Sequence, residues 1–360
     1  MWLLNTRTAD LRHFSGPHAV PGGYAILSHV WAKTEDSFHP TPQEPASLPR
    51  WYNVVFSVFS WLLRLLSFGV LKARPSPRDR FTPKVRGFLK LAEKQGYEWA
   101  WVDTCCIDKT SSAEVTEAIN SMFRYYALAD VCYAYLRDVP ADDPGAAHFF
   151  GSRWHTRSWT LQELVAPTRV VFLAEDWSPI GTRFEMADQL QKITGIPAAV
   201  LRLEQDVHQV SVAARMSWAA QRKATRVEDK AYSLFGLFGI NLPTLYGESE
   251  ESAFYRLQEE IMSKSVDTSM VMWGDVLQDV GSAEEIARLA NEPIPELGWP
   301  QYEHLLAPMV GCFRDSQHTR YHTVGVATST ALDQVRCPPL LLLTKVNLTR
   351  DIDLCHFPNG

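Results

Sequence analysis

The sequence predicts an α/β protein: a parallel sheet flanked by helices, followed by a helical segment and a small β-rich C-terminal region. Three observations predict it. Short apolar runs alternate with helical periodicity through the first half, helical patterns alone follow from about residue 176, and short mixed runs return from about residue 268. The expected units are residues 1–175 with an apolar insertion at about 50–75, then 176–267, then 268–360. No internal repeat is visible.

The elements follow in order. Pro21-Gly22-Gly23 is turn punctuation before the apolar run Tyr24 to Trp31, read as a buried strand with Ser28, His29 and Trp31 at its far end. A proline-rich loop runs from Phe38 to Pro49, and the long apolar segment Val54 to Leu71 comes next. Val85, Phe88, Leu89 and Ala92 mark one face of a helix that ends near Gly96. Glu98 to Asp103 reads as a strand and Cys105 to Asp108 as a loop. Ser111 and Glu114 form a capping-box pattern ahead of a helix with its apolar face on Val115, Ala118, Ile119, Met122 and Tyr126. Val131 to Leu136 and Arg169 to Leu173 are further strands, and between them a helix is expected from about Thr156 to just before Pro167. Helices are then expected over Phe184 to Thr194, Val210 to Arg222, Val227 to Phe238 and Ser249 to Lys264, and strands in the runs that start at Tyr321 and Leu340.

Composition excludes several classes. Hydrophobic residues make up 46% and charged residues 21%, ordinary globular usage for 360 residues. A formal net charge of -6 leaves no basic footprint for nucleic acid. Six cysteines without any Cys-x-x-Cys spacing fit a reducing compartment, and the N-terminus turns polar too soon for a secretory signal, so a cytoplasmic protein is expected. Val54 to Leu71 qualifies that expectation. It is marginal against a bilayer span of about 20 residues and carries Arg64 near its middle, so spanning a membrane, lying on one or docking a partner, and burial as a helical hairpin all remain open.

Neither a Gly-x-Gly-x-x-Gly turn nor a P-loop occurs, and His318 with His322 lies in a strand-like run that argues against a metal site. Cys105 and Cys106 would be nucleophiles if His29 or His155 approached them, and small buried hydrophobes otherwise. Asp103 and Asp108 read equally as a pocket pair and as a loop cap beside a surface charge. On the expected helix, Trp159, Gln162 and Glu163 fall at i, i+3 and i+4, which suits a flat polar ligand but also suits a helix that simply buries a tryptophan. Arg153 and Arg157 are spaced to decorate a solvated face, and Trp154 reads as core.

Four stretches in order resemble the fungal heterokaryon-incompatibility (HET) domain: Tyr24 to Trp31, Trp101 to Asp108, Glu117 to Phe123 and Arg153 to Glu163. Glu228 to Phe238 with Leu245 to Glu248 resembles the segment that commonly follows it. The Val54 to Leu71 insertion departs from the family pattern. The resemblance implies a role in non-self recognition and programmed cell death, and a remote likeness to Toll/interleukin-1 receptor (TIR) domains, hence a TIR-like, flavodoxin-like sheet. In TIR domains that hydrolyse NAD, a glutamate in a Trp-Cys-Leu-x-Glu-Leu context is catalytic. Trp159 to Leu164 is similar and puts Glu163 in that place, with Ser28, His29, Trp31, Asp103, Arg153, Arg157 and Trp159 as substrate-binding candidates. NAD is then a substrate, with no cofactor or metal, and the active form is a homo-oligomer. The alternative is a non-catalytic module that acts through oligomerisation or through a membrane or protein partner at Val54 to Leu71.

Overall fold

A computed structural model describes residues 1–32, 34–38, 76–143, 146–271, 306–307, 309–314 and 316. Val54 to Leu71, His318, His322 and the strand-like runs from Tyr321 and Leu340 lie outside the described residues.

Seven strands form one mixed sheet: β1 Trp2–Asn5, β2 Leu11–His13, β3 Ala25–His29, β4 Trp99–Trp101, β5 Val131–Tyr135, β6 Val170–Leu173 and β7 Pro179–Thr182, in the order β2-β1-β4-β3-β5-β6-β7. The central pairs β4 with β3, β3 with β5 and β5 with β6 are parallel. Antiparallel partners close both edges: β1 joins β4 and β2, and β7 joins β6. β3, β4, β5 and β6 are the four strands expected from the apolar runs. β1, β2 and β7 are additions: a run as short as Trp-Leu-Leu-Asn carries too little pattern to be read as a strand.

Connections leave β3 for β4 on one side and return to β5 on the other, so the strand order reverses beside β3. In open α/β sheets the crevice beyond the carboxyl ends of the strands at such a point receives ligands. Alternation along β3 sends neighbouring side chains to opposite faces. The parallel register sets Ser28 beside Ala134 and His29 beside Tyr135.

The helices of the first half are α1 Pro83–Lys94, α2 Asp103–Cys106, α3 Ser112–Ala127, α4 Ala147–Gly151 and α5 Thr160–Val165. α1 buries Val85, Phe88, Leu89 and Ala92, and Phe88 meets Tyr133 of β5 edge-on at 6.2 Å. α3 buries Ala118, Ile119, Met122, Tyr125 and Tyr126. The capping box forms in half: Ser111 Oγ accepts from the Glu114 backbone N–H, while the Glu114 carboxylate takes the Asp108 N–H instead. Asp103 to Cys106, expected as strand end and loop, is a single helical turn.

Beyond β7 come α6 Ala187–Thr194, α7 Ala198–Leu201, α8 Val212–Ser217, α9 Asp229–Tyr232, α10 Phe235–Phe238 and α11 Glu250–Lys264. The expected single helix from Val227 to Phe238 is two short ones. Gly236 lets α10 lie directly on α3: a Cβ there would stand 2.1 Å from Phe123 Cβ. The buried apolar cluster runs without a break from Met1 through the sheet and these helices to Phe313.

Candidate functional site

Glu163 lies on α5, whose six residues are all buried. The helix starts at Thr160 rather than near Thr156. Arg153–Thr156 is a 3-10 turn, and residues 157 and 158 are drawn into an extended bridge by two backbone hydrogen bonds, Lys223 N–H to Thr156 O at 2.7 Å and Ser158 N–H to Lys223 O at 2.9 Å. Arg153 and Arg157 therefore share no helical face.

Around the Glu163 carboxyl, three polar side chains converge. Ser28 Oγ donates to Glu163 Oε2, and the Trp154 indole N–H donates to Ser28 Oγ at 2.8 Å. The Tyr126 hydroxyl, which donates to the Leu27 carbonyl at 2.9 Å, also stands within hydrogen-bonding reach of Glu163. Cys132 Sγ, two residues along β5 on the same sheet face as Ala134, contacts the Glu163 carbonyl at 3.8 Å. Burial pushes the Glu163 carboxyl up to about 8; the Ser28 hydrogen bond opposes that rise and Asp103 adds to it. Glu163 is therefore mostly protonated at neutral pH in this arrangement. It is 8% exposed.

On the opposite face of β3, His29 points toward the α1 side. Its Nε2 stands 3.7 Å from Asp103 Oδ1 and 3.8 Å from Glu35 Oε2, too far for a hydrogen bond, and both Nε2 and Glu35 Oε2 are buried without a hydrogen-bond partner. Burial lowers the His29 pKa, with Asp103 pulling the other way. The segment after β3 folds over this spot. Lys84 Nζ of α1 donates to Glu35 Oε1 at 2.6 Å, and Asp36 receives both the backbone N–H (3.0 Å) and the hydroxyl (2.6 Å) of Thr82 at the start of α1. Trp31, 47% exposed, donates its indole N–H to Asp103 Oδ2 at 2.7 Å and carries Lys109 Nζ 4.0 Å above its ring.

The structure thus brings Ser28, His29, Trp31, Asp103 and Glu163 to the carboxyl ends of β3 and β4. Of the rest, Arg153 is exposed and the Trp159 indole bonds Asp229, while Arg157 donates to Thr225 Oγ1 at 3.2 Å and its charge acts on the Glu163 carboxyl, favouring the ionised form. Trp154 is core, as expected. Asp108 is a loop cap, accepting Thr110 N–H at 2.9 Å. The thiols are unsuited to nucleophilic attack: burial raises Cys105 to about 12 and Cys106 well above its usual value.

Residues that carried no sequence signal complete the site. Buried Arg222, in the helical segment, donates to the Arg157 carbonyl and to Thr160 Oγ1, both at 3.0 Å, while Thr160 Oγ1 donates to the Trp154 carbonyl at 2.6 Å. A guanidinium from 59 positions downstream of Glu163 thereby pins the first turn of α5. Among the described residues no group of three or more His, Cys, Asp and Glu side chains is placed to hold a metal ion.

A family model described as heterokaryon incompatibility protein (HET) matches residues 24–145. This chain is a HET-domain protein. It is 40% identical over 245 residues to the vegetative incompatibility protein HET-E-1 of Podospora anserina, an alignment that takes in 66% of this chain. The chain spans 16% of that relative's length. The HET match holds three of the four motifs and ends before the Arg153 to Glu163 stretch. A second model, a domain of unknown function, matches residues 252–340. No solved structure matches the chain. Among the described residues no helix is long and apolar enough to cross a membrane.

Proposed function

We propose that this HET-domain protein is a fungal incompatibility effector that triggers cell death by hydrolysing NAD to nicotinamide and ADP-ribose, and that Glu163 is its catalytic residue. The observation that carries the proposal is the placement of Glu163: a carboxyl at the carboxyl ends of parallel strands, beside the reversal of strand order, hydrogen-bonded by Ser28 of the first motif. The central strand order, β4-β3-β5-β6, is in keeping with the TIR-like, flavodoxin-like arrangement that the resemblance implies.

The chemistry needs a carboxylate near the ribose C1′. The glycosidic bond breaks with its electron pair going to the nicotinamide ring, leaving an oxocarbenium-like ribose that water attacks, and a negative carboxylate stabilises that positive charge. Nicotinamide leaves as a neutral pyridine, so no strong general acid is required. Burial that keeps Glu163 protonated describes a resting form. Opening of the site, on assembly into the active homo-oligomer, admits water and substrate, lowers the pKa and delivers the carboxylate. Trp31 at the rim is then placed to stack on a flat ring, with Ser28 and Asp103 beside the ribose.

The test is incubation of the purified chain with NAD, as monomer and as assembled oligomer, with nicotinamide measured by chromatography. Release that Glu163→Ala abolishes is expected from the assembled form. No nicotinamide from either form overturns the activity, and release that survives Glu163→Ala overturns the site.

A second reading is favoured by one observation: Glu163 is shielded and lines neither of two surface cavities found among the described residues. Under it the protein is a non-catalytic module that acts by oligomerisation or membrane association through Val54 to Leu71. Loss of toxicity on deletion of 54–71 with cellular NAD unchanged would decide for it.

A further inference from the structure

Arg222 is a cation held by neutral groups alone. The residue is 5% exposed, and its three hydrogen bonds go to uncharged oxygens: Nε to the Trp218 carbonyl, and Nη1 to the Arg157 carbonyl and to Thr160 Oγ1, each at 3.0 Å. Nη2 is buried with no acceptor, and among the described residues no carboxylate is paired with the guanidinium. A buried charge without a partner of opposite sign is costly, so a nearby group that can turn negative acts on it strongly.

Glu163 is such a group. Thr160, which accepts from Arg222, and Glu163 stand at i and i+3 on α5, neighbours about 5–6 Å apart between Cβ atoms. Burial pulls the Arg222 pKa down to about 10, and Glu163 acts against that fall. Arg222 also opposes protonation of His155, a ring that burial already keeps neutral. Ser28, Tyr126 and Cys132 surround the Glu163 carboxyl, and the other charges that act on it are Asp103 and Arg157. Arg157 is only partly buried and bonded to Thr225, where water and salt screen its charge; buried Arg222 is screened much less.

We propose that Arg222 is a positioning residue for Glu163: its buried positive charge favours the carboxylate and holds it beside the first turn of α5. In the resting form a protonated Glu163 leaves the guanidinium without a counter-charge. Once the site opens and the proton passes to water, the carboxylate supplies that charge. The part played in the reaction rests on Glu163 being the reacting carboxyl of the NAD reading, whereas the coupling of the two charges does not.

Carbon-13 NMR of the glutamate carboxyls of the full chain reads the coupling, with the Glu163 signal assigned as the one missing from Glu163→Gln. Arg222→Gln removes the charge and keeps a donor, while Arg222→Lys keeps the charge and loses the planar fork. The Glu163 midpoint should rise by about one pH unit in Arg222→Gln and stay close to wild type in Arg222→Lys. An unmoved midpoint in Arg222→Gln overturns the proposal. So does an equal rise in both variants, because fastening rather than charge would then be at work. Wild-type protein gives a reading that needs neither variant to fold. Its Arg222 Nε–H resonance, assigned by proximity to Trp218 and Thr160, should shift with pH through the Glu163 titration and stay still in Glu163→Gln; a resonance that does not follow Glu163 overturns the proposal as well. In the assembled form, the pH at which nicotinamide release rises should move up with the midpoint in Arg222→Gln, and release that ignores the midpoint overturns the positioning role. Absence of nicotinamide throughout would overturn the NAD reading alone, since the titrations are read without substrate.

Discussion

Ser28 and His29 are neighbours on one strand, yet they face two differently built environments. On the Ser28 side hydrogen bonds close on one another: Trp154 gives to Ser28, Ser28 gives to Glu163, and Tyr126 stands beside the same carboxyl. On the His29 side the ring faces two carboxylates at 3.7 and 3.8 Å and bonds neither. One face holds a protonated acid in a satisfied network; the other holds a neutral base in an unsatisfied one. The difference teaches that burial, more than pairing, sets both protonation states, since it is the leading cause for each.

The strongest blow to the Ser28 side is Trp154→Ala. It removes a fully buried indole and the donor to Ser28, and should cost about 3–5 kcal/mol, read from the denaturant midpoint. Glu163→Gln is gentler and diagnostic. Between pH 4.5 and about 8 the folded protein holds a proton on Glu163 that the unfolded chain releases, so wild-type stability falls as pH rises through that window. Glutamine cannot titrate; thermal melts should show the variant gaining on wild type by up to about 1.4 kcal/mol per pH unit. A difference that stays flat across this range would mean that Glu163 is ionised in the folded state.

His29 pulls the opposite way. Its folded pKa lies below 6.5, so the unfolded chain takes up the proton first and stability falls as pH drops below 6.5. His29→Gln should make that acid limb shallower in the same melts; the remainder belongs to His155, whose pKa burial lowers to about 4. The smallest effect belongs to Trp31→Phe, which deletes one rim hydrogen bond to Asp103 and should cost about 1 kcal/mol or less. An acid limb unchanged in steepness by His29→Gln would show that the two faces do not divide the titration as described.

Much of this arrangement is legible from residue order. An apolar run that ends in Ser28, His29 and Trp31, and another that ends at Asp103, mark the carboxyl ends of strands, and those residues do meet there. The α1 and α3 faces follow from apolar spacing. What resists reading depends on partners distant in the chain. Thr156 to Trp159 has helical spacing but is pulled out of a helix by Lys223, so Arg153 and Arg157 share no helical face and Trp159 turns to Asp229 instead of joining Glu163. No local pattern announces Arg222, because its role comes from carbonyls and a hydroxyl presented by another part of the chain. β1, β2 and β7 are short and draw their stability from strands already in place.

Arg222 also bears on where the molecule can be cut. The family match closes at residue 145 and the sheet at Thr182, but the guanidinium that seats the first turn of the Glu163 helix arrives only at position 222. A fragment trimmed to the recognisable motifs would keep Ser28 and Glu163 and lose the fastening that orients them. The smallest piece worth expressing therefore extends past Arg222.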